Sequence, residues 1–549
     1  MNVTDEDKTA LARTFCCNIG DFPIKYLGGP LHFTKLKRED IQPVVAKLLK
    51  RISGWKGRLL SSAGRLTLLK SCLASILIYL LSVIKFPKWA IESINSQMAN
   101  FLWNDQEGNH RYHLSNWQSI AQKKEYGGWG IPDLVCLNMS LLSTWINRYH
   151  LSDNMIWKQI IDYKYRTKQP NLFCCPEIGA SPFWRGVLWA SKAAQLGVRW
   201  KIGDGKTIRF WEDIWFGTCS LAIQFWDLYV LSNQKNVSVA EVWDGEELKI
   251  SFRRRISLRL MQKWLDLVAI AESINYNDDC DAIVWSFADS NSFSVQAVYK
   301  TISFRGVQPV YAPSIWGLNV PPRIHIFLWL LSNNKTLIRT NLAKRRHVED
   351  VSCLFCNEPE TVNHLFFDCC VAKVLWSYLK DIFHTQLGDD YESVARWWIS
   401  DYKHKVMNGC SAALMWSLWK FRNAMCFQGK SWMGEKILIR RLLHTLKIWR
   451  SLYSEADVVK LDQVLARLLS KLEEPLQLTA PPQMNQSSSI SQMELMSSLE
   501  ASPGRAIYIA DMPLEAAEAP VPMISCALAT SYLDALDASQ VVSLCSVVP

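Results

Sequence analysis

The chain has no apolar run long enough to cross a bilayer. Its longest, residues 72–84 (CLASILIYLLSVI), is broken by serines and spans about 13 residues against the roughly 20 that a membrane helix needs. It reads as a buried helix, and a membrane partner is not expected. The N-terminus, MNVTDEDKTA, is acidic and lacks the apolar core of a signal peptide. Cysteine is sparse for the length, 16 in 549 residues, which argues against a secreted disulfide framework. A reducing intracellular compartment, nucleus or cytoplasm, fits better. Tryptophan is plentiful, 25 residues in all, but none lies beyond Trp449. A stretch without large aromatics has little to bury, so residues 476–549, rich in Ser, Ala, Met and Pro, are expected to be a disordered tail.

Acidic residues are also in deficit, 51 against 61 Lys and Arg, for a formal charge of +10. The surplus is local. Residues 35–70 carry Lys35, Lys37, Arg38, Lys47, Lys50, Arg51, Lys56, Arg58, Arg65 and Lys70 against only Glu39 and Asp40. Such a surplus points to a polyanionic partner, although solvated helix faces are also rich in lysine.

The length implies several folded units. Ile41, Val44, Val45, Leu48, Leu49 and Ile52 recur at helical spacing, and the same pattern returns over residues 63–84 and 91–103. Three helices with one basic side are predicted. Gly127, Gly128, Gly130 and Pro132 then break the periodicity before a further helical stretch over 137–149. From about residue 156 the chain turns to short Trp-rich pieces. Residues 199–215 predict a hairpin around Gly203-Asp204-Gly205, and residues 283–299 predict a second one leading into a helix. Neither carries a catalytic signature. Val320-Pro321-Pro322 precedes a predicted helix over 323–331, and further helices are predicted near 371–383, 411–427 and 434–472. The fold class is mainly α with a mixed α/β middle. The expected units are 1–150 (helical, thumb-like), 151–312 (Trp-rich connector), 313–380 (zinc-binding), 381–475 (helical) and the tail.

Cys353-Leu354-Phe355-Cys356 is followed by seven residues, His364, four residues and then Cys369-Cys370. Three thiolates and an imidazole at this spacing suit one tetrahedral Zn2+ with no position left for a catalytic water. Such an ion is structural. Cys370 adjoins Cys369 and could replace it in the register. The pairs Cys16-Cys17 and Cys174-Cys175 have no nearby histidine and read as ordinary thiols. Lys344, Arg345 and Arg346 lead into the first ligand and are candidate nucleic-acid contacts, as are Lys47, Lys50, Arg51, Lys56, Arg58 and Arg65. The tryptophans read as core.

Several strings resemble one family. Residues 22–31 (FPIKYLGGPL), Gly54-Trp55-Lys56 and residues 60–65 (LSSAGR) resemble the segment downstream of the polymerase palm in plant non-LTR (LINE-type) retrotransposon reverse transcriptases. Trp316, Val320-Pro321-Pro322, Phe327-Leu328-Trp329 and the Cys/His set with Glu360-Thr361 and residues 364–367 (HLFF) resemble the zinc-binding domain of those polyproteins. Trp416, Trp419, Arg422-Asn423 and Phe427 are similar to a helical motif that often follows it. The resemblance prefers Cys369 as the fourth ligand and implies RNA or DNA as a weakly selective partner, with no small-molecule substrate. A working palm holds two magnesium ions about 4 Å apart on carboxylates; in the family these lie upstream of the matched segment. Endonuclease and RNase H motifs are not recognised either, so the chain is expected to be a non-catalytic remnant that binds nucleic acid. The alternative is a protein-interaction scaffold that binds none, and a palm supplied in trans stays open. Tyr276-Asn277-Asp278-Asp279 spells the palm's Y-x-D-D but lacks apolar flanks and comes too late in the order, so it is expected to be an acidic surface loop.

Overall fold

The structure, a computed structural model, describes residues 4–20, 24–26, 29–31, 37–54, 60–103, 112–151, 155–166, 169–277, 279–287, 291–306 and 309–473. The tail at 476–549 and the candidate contacts Lys56 and Arg58 lie outside the described residues. The fold is mostly helical, with four short strands among the described residues.

The three predicted helices are Arg38–Ser53, Ser62–Val83 and Lys88–Trp103, of which the first carries most of the basic residues. Ile41, Val45, Leu48 and Ile52 bury one face of the first, because apolar side chains three and four residues apart share a face and gain from leaving water together. The LSSAGR string starts the second helix: Ser61 is its N-cap, and its hydroxyl accepts from the Gly64 N–H at 3.2 Å. Helix Leu134–Leu142 is locked to the end of Ser62–Val83 by the buried Asn138. Its amide donates to the carbonyls of Leu81 (2.6 Å) and Ile84 (2.9 Å) and its oxygen accepts from the Phe86 N–H (2.9 Å). No helix among the described residues is long and apolar enough to cross a membrane.

Buried side chains form two clusters. One takes residues from Ile41 to Leu141 and again from Tyr299 to Leu468; the other runs from Ile146 to Trp285. The glycines predicted to break periodicity join the first cluster together. Gly127 (φ 82°) and Gly130 (φ 76°) adopt left-handed backbone around Trp129. The Trp129 ring meets Trp103 at 5.5 Å and Trp329 at 5.4 Å edge-on, and the Trp329 indole donates to the Gly127 carbonyl at 2.6 Å.

Both hairpins in the middle region are corrected. Strand Val198–Lys201 pairs antiparallel with Ala282–Trp285, Val198 opposite Trp285, so each predicted hairpin supplies one strand of a single long-range pair. The Gly203-Asp204-Gly205 turn is held from a distance: the Asp281 carboxylate accepts from the N–H groups of Gly203 (2.8 Å), Gly205 (2.9 Å) and Thr207 (2.8 Å). In the second segment Ser294 caps helix Val295–Ser303 where a return strand was predicted. The predicted stretches 323–331, 371–383 and 411–427 fall within helices Pro322–Ser332, Cys370–Phe383 and Asp401–Phe427, whereas 434–472 divides into Lys436–Trp449 and Glu455–Glu473.

A methyl group at Gly128 would sit 2.3 Å from the Gln122 carbonyl oxygen, a backbone atom that cannot swing aside. Gly128→Ala is expected to destabilise by ~1–3 kcal/mol, the usual cost of overpacking. Chemical denaturation checks this, and an unchanged midpoint would contradict the packing described.

Candidate metal centre

The Cys353–Cys356 segment is a tight turn. A bridge joins Ser352 to Pro359, the Cys353 N–H donates to the Glu358 carbonyl (2.7 Å) and the Phe355 N–H to the Cys353 sulfur (3.5 Å). His364 opens a single wide turn, His364–Asp368, that ends with the Cys369 N–H on the His364 carbonyl (2.7 Å). Cys369 is then the N-cap of helix Cys370–Phe383, where the helix dipole favours a negative sulfur.

These turns gather the four side chains. The three Sγ atoms and one imidazole nitrogen lie within 4.8 Å of one another. Cys353 and Cys356 each stand 3.9 Å from Cys369, sulfur to sulfur. With Zn–S bonds of about 2.3 Å, the edge of a tetrahedral site is about 3.8 Å, so the sulfur spacing fits. The Cys356 sulfur and His364 Nε2 are 3.0 Å apart, a shorter edge that a metal would widen. Cys369 is fully buried, whereas Cys370 points to solvent and stands outside the group.

The thiols are electrostatically unusual. The hydrogen bond with Cys369 pulls the Cys353 thiol down to about 6, and the same bond pushes Cys369 up. Burial pushes Cys356 up. Thiolates at this separation repel one another without a cation, so a metal ion would let all three sulfurs carry charge. Cys175, by contrast, is simply pushed up to about 11 by burial.

Beneath the site lies a pair that the sequence reading quoted but did not connect. Glu360 and Arg422, with side chains 0% and 1% exposed, form a two-pronged ion pair: Nη2 to Oε1 at 2.5 Å and Nε to Oε2 at 3.0 Å. Glu360 Oε1 also accepts from the Arg339 N–H (2.8 Å), and Arg422 lies 5.5 Å over the Trp419 ring. The signal available in the sequence was a single arginine inside the apolar stretch of helix Asp401–Phe427. Around the pair, Phe355 stacks on Phe421 (6.3 Å), and Phe327 meets Phe366 (5.9 Å) and Trp416 (5.1 Å).

The candidate nucleic-acid residues differ in their surroundings. Lys47, Lys50 and Arg51 are exposed on the polar face of helix Arg38–Ser53. Arg65 is half-buried and donates to the Phe101 carbonyl at 3.4 Å. Lys344, Arg345 and Arg346 are all exposed; Lys344 bonds Asn341 Oδ1 (3.1 Å), and Arg345 lies 5.4 Å over the Tyr112 ring and donates to the His113 carbonyl (3.4 Å). In the Y-x-D-D look-alike, the Tyr276 hydroxyl donates to the Trp243 carbonyl (2.9 Å) and Asp279 accepts from Asn277 (3.2 Å); Asp278 lies outside the described residues.

Arg422→Met leaves Glu360 buried without its counter-charge, and a cost of ~3–5 kcal/mol is expected. Adding Glu360→Leu in the same chain should recover much of it. Denaturant midpoints that fall additively in the double variant would show that the two side chains do not act as a pair.

Residues 293–376 match the family described as zinc-binding in reverse transcriptase. The chain is also similar to an Arabidopsis thaliana protein named "Putative ribonuclease H protein", 24% identical over 448 residues that cover 76% of this chain and 68% of the relative. It is similar as well to an Arabidopsis thaliana protein named "Uncharacterized mitochondrial protein", 24% identical over 139 residues that cover 25% of this chain and 90% of that one. Over residues 293–376 the chain carries a zinc-binding domain of the reverse-transcriptase type, and these similarities support a retrotransposon-derived, reverse-transcriptase-like protein.

Proposed function

We propose that the protein is a non-catalytic, zinc-stabilised nucleic-acid-binding remnant of a reverse transcriptase, intracellular and weakly selective for sequence. The observation that carries this reading is the converging set Cys353, Cys356, His364 and Cys369, a closed donor set within the zinc-binding match. Bound there, zinc would supply folding energy and a fixed geometry rather than an activated water. Cys353 and Cys356 hold the tight turn, His364 and Cys369 the start of helix Cys370–Phe383, and the ion would join these two pieces to each other. Support for the absence of polymerase chemistry comes from the Y-x-D-D look-alike, whose tyrosine is tied to Trp243. The relative named for ribonuclease H suggests an association with nucleic acid, and we carry over the association without the activity. The partition into thumb-like, connector, zinc-binding and helical units is part of the same proposal.

Lys47, Lys50 and Arg51 are exposed cations offered to phosphates, with Lys344, Arg345 and Arg346 leading into the zinc-binding turn. Contacts of this kind position a backbone without reading bases. The second reading, a protein-interaction scaffold, draws on Arg345 and Arg65, which are engaged within the protein.

Two measurements test the proposal. Purified full-length protein should contain about one zinc per chain, lost in Cys369→Ser and kept in Cys370→Ser; it should be released on acidification, as protons compete for thiolate and imidazole. Retention by Cys369→Ser would reassign the ligand. Affinity for duplex DNA or RNA should fall with salt, and reversing Lys47, Lys50 and Arg51 should flatten the log–log slope by about 0.9 for each phosphate contact removed. A wild-type protein that binds neither nucleic acid at low salt would favour the scaffold.

A further inference from the structure

A concave site lies outside the zinc-binding region, in the middle segment. Trp145, Trp157, Tyr165, Phe183 and Trp184 line a cavity of about 410 Å³ with Lys164 at its edge. That volume falls in the ~300–1,000 Å³ range of ligand sites. Its walls are fixed. Tyr165 stacks on the buried Trp184 (5.5 Å, 10°), and its hydroxyl accepts from the Ser181 N–H at 3.1 Å. Trp145 is packed edge-on between Phe183 (5.0 Å) and Trp157 (6.0 Å). Trp145, Trp157, Tyr165 and Phe183 are only half-buried, so ring surface faces the opening. The Trp184 indole N–H is buried with no acceptor among the described residues.

The charge around these rings is of one sign. Arg148 lies 4.9 Å over Trp145 and Lys164 5.4 Å over Tyr165, while Lys158 lies 5.1 Å over Tyr149, itself against Trp157. Asp162, the carboxylate on this stretch, is taken up by the Tyr149 hydroxyl and by Arg166 (3.1 Å). An apolar protein helix would need the rings but not the cations. A flexible polyanion with flat, stackable groups uses both: bases stack on aromatic faces whatever their sequence, and lysine or arginine beside them meets the phosphates.

We propose that this aromatic cleft binds unpaired bases of single-stranded RNA or DNA, with Trp157 and Phe183 as stacking surfaces and Lys164 and Arg148 as phosphate contacts. The inference rests on the nucleic-acid reading above and adds a strand preference that the basic helix Arg38–Ser53 alone would not give. Duplex bases are already stacked and cannot enter.

The test uses the full chain with fluorescent oligo(dT), oligo(U) and a duplex of matched length. Wild type should prefer the single strands. Trp157→Ala should weaken them roughly 5-fold or more, the loss expected for one stacked base, without changing duplex affinity; Trp157→Tyr should restore binding. Lys164→Glu alters an exposed side chain and should weaken single-strand binding even if Trp157→Ala folds poorly. Ultraviolet crosslinks of oligo(dT) should map to peptides within residues 145–184. Equal single-strand affinity in wild type, Trp157→Ala and Lys164→Glu, with crosslinks elsewhere, overturns the cleft while leaving the basic helix as a binding surface. Failure of wild type to bind any of the three probes overturns both.

Discussion

Glu360 and Arg422 stand 62 residues apart and meet in a region from which water is excluded. A charge buried alone is costly, so each holds the other in place, and with them the segments that carry them. Glu360 follows directly on the turn that bears Cys353 and Cys356, and Arg422 sits in the long helix Asp401–Phe427, most of whose residues from Val406 to Ala424 are buried. The Arg339 N–H and the Thr340 hydroxyl (2.7 Å to the Glu360 carbonyl) draw a third segment to the same point. The candidate metal-binding turn is therefore seated on a helix far along the chain, and Phe355 of that turn packs against Phe421 of the same helix. Metal and ion pair have complementary tasks. The ion pair fixes where the turn lies, and the metal would fix how its two halves meet.

The same division explains which parts of the fold were legible in the sequence. Helices depend on contacts three and four residues apart, so Ile41, Val45, Leu48 and Ile52 revealed theirs directly. The middle region depends on pairings between distant segments. Val198–Lys201 finds its partner beyond residue 280, and the Asp281 carboxylate organises the turn at Gly203. Local alternation and a glycine turn look the same whether a strand pairs with its neighbour or with a distant partner, which is why two hairpins were predicted and one long-range pair is present. The candidate metal site was legible because ligand spacing is a local property. Spacing alone left Cys369 and Cys370 open; in the structure Cys369 joins the candidate group and Cys370 is exposed. Glu360 and Arg422 were both visible as residues, but the fact that they meet is a tertiary one.

Charge reads less well than shape. Of the cations singled out from composition, Lys47, Lys50, Arg51, Lys344, Arg345 and Arg346 are exposed, although Arg345 also meets a carbonyl and an aromatic ring, whereas Arg65 is half-buried against a carbonyl. A lysine-rich stretch shows that positive charge is present but not which groups are available to phosphate. Tryptophan shows the converse. Trp129, Trp184, Trp211, Trp329, Trp376, Trp398 and Trp449 are buried, as read from the sequence, yet Trp145 and Trp157 keep part of their rings open beside cations.

The account turns on three sulfurs and one nitrogen closing around a single ion. X-ray absorption at the zinc edge of the full-length protein observes that shell directly. Three sulfur ligands near 2.3 Å and one nitrogen near 2.0 Å, with no oxygen, is the result the account predicts. A shell containing oxygen ligands, or folded protein that takes up no zinc, would contradict it.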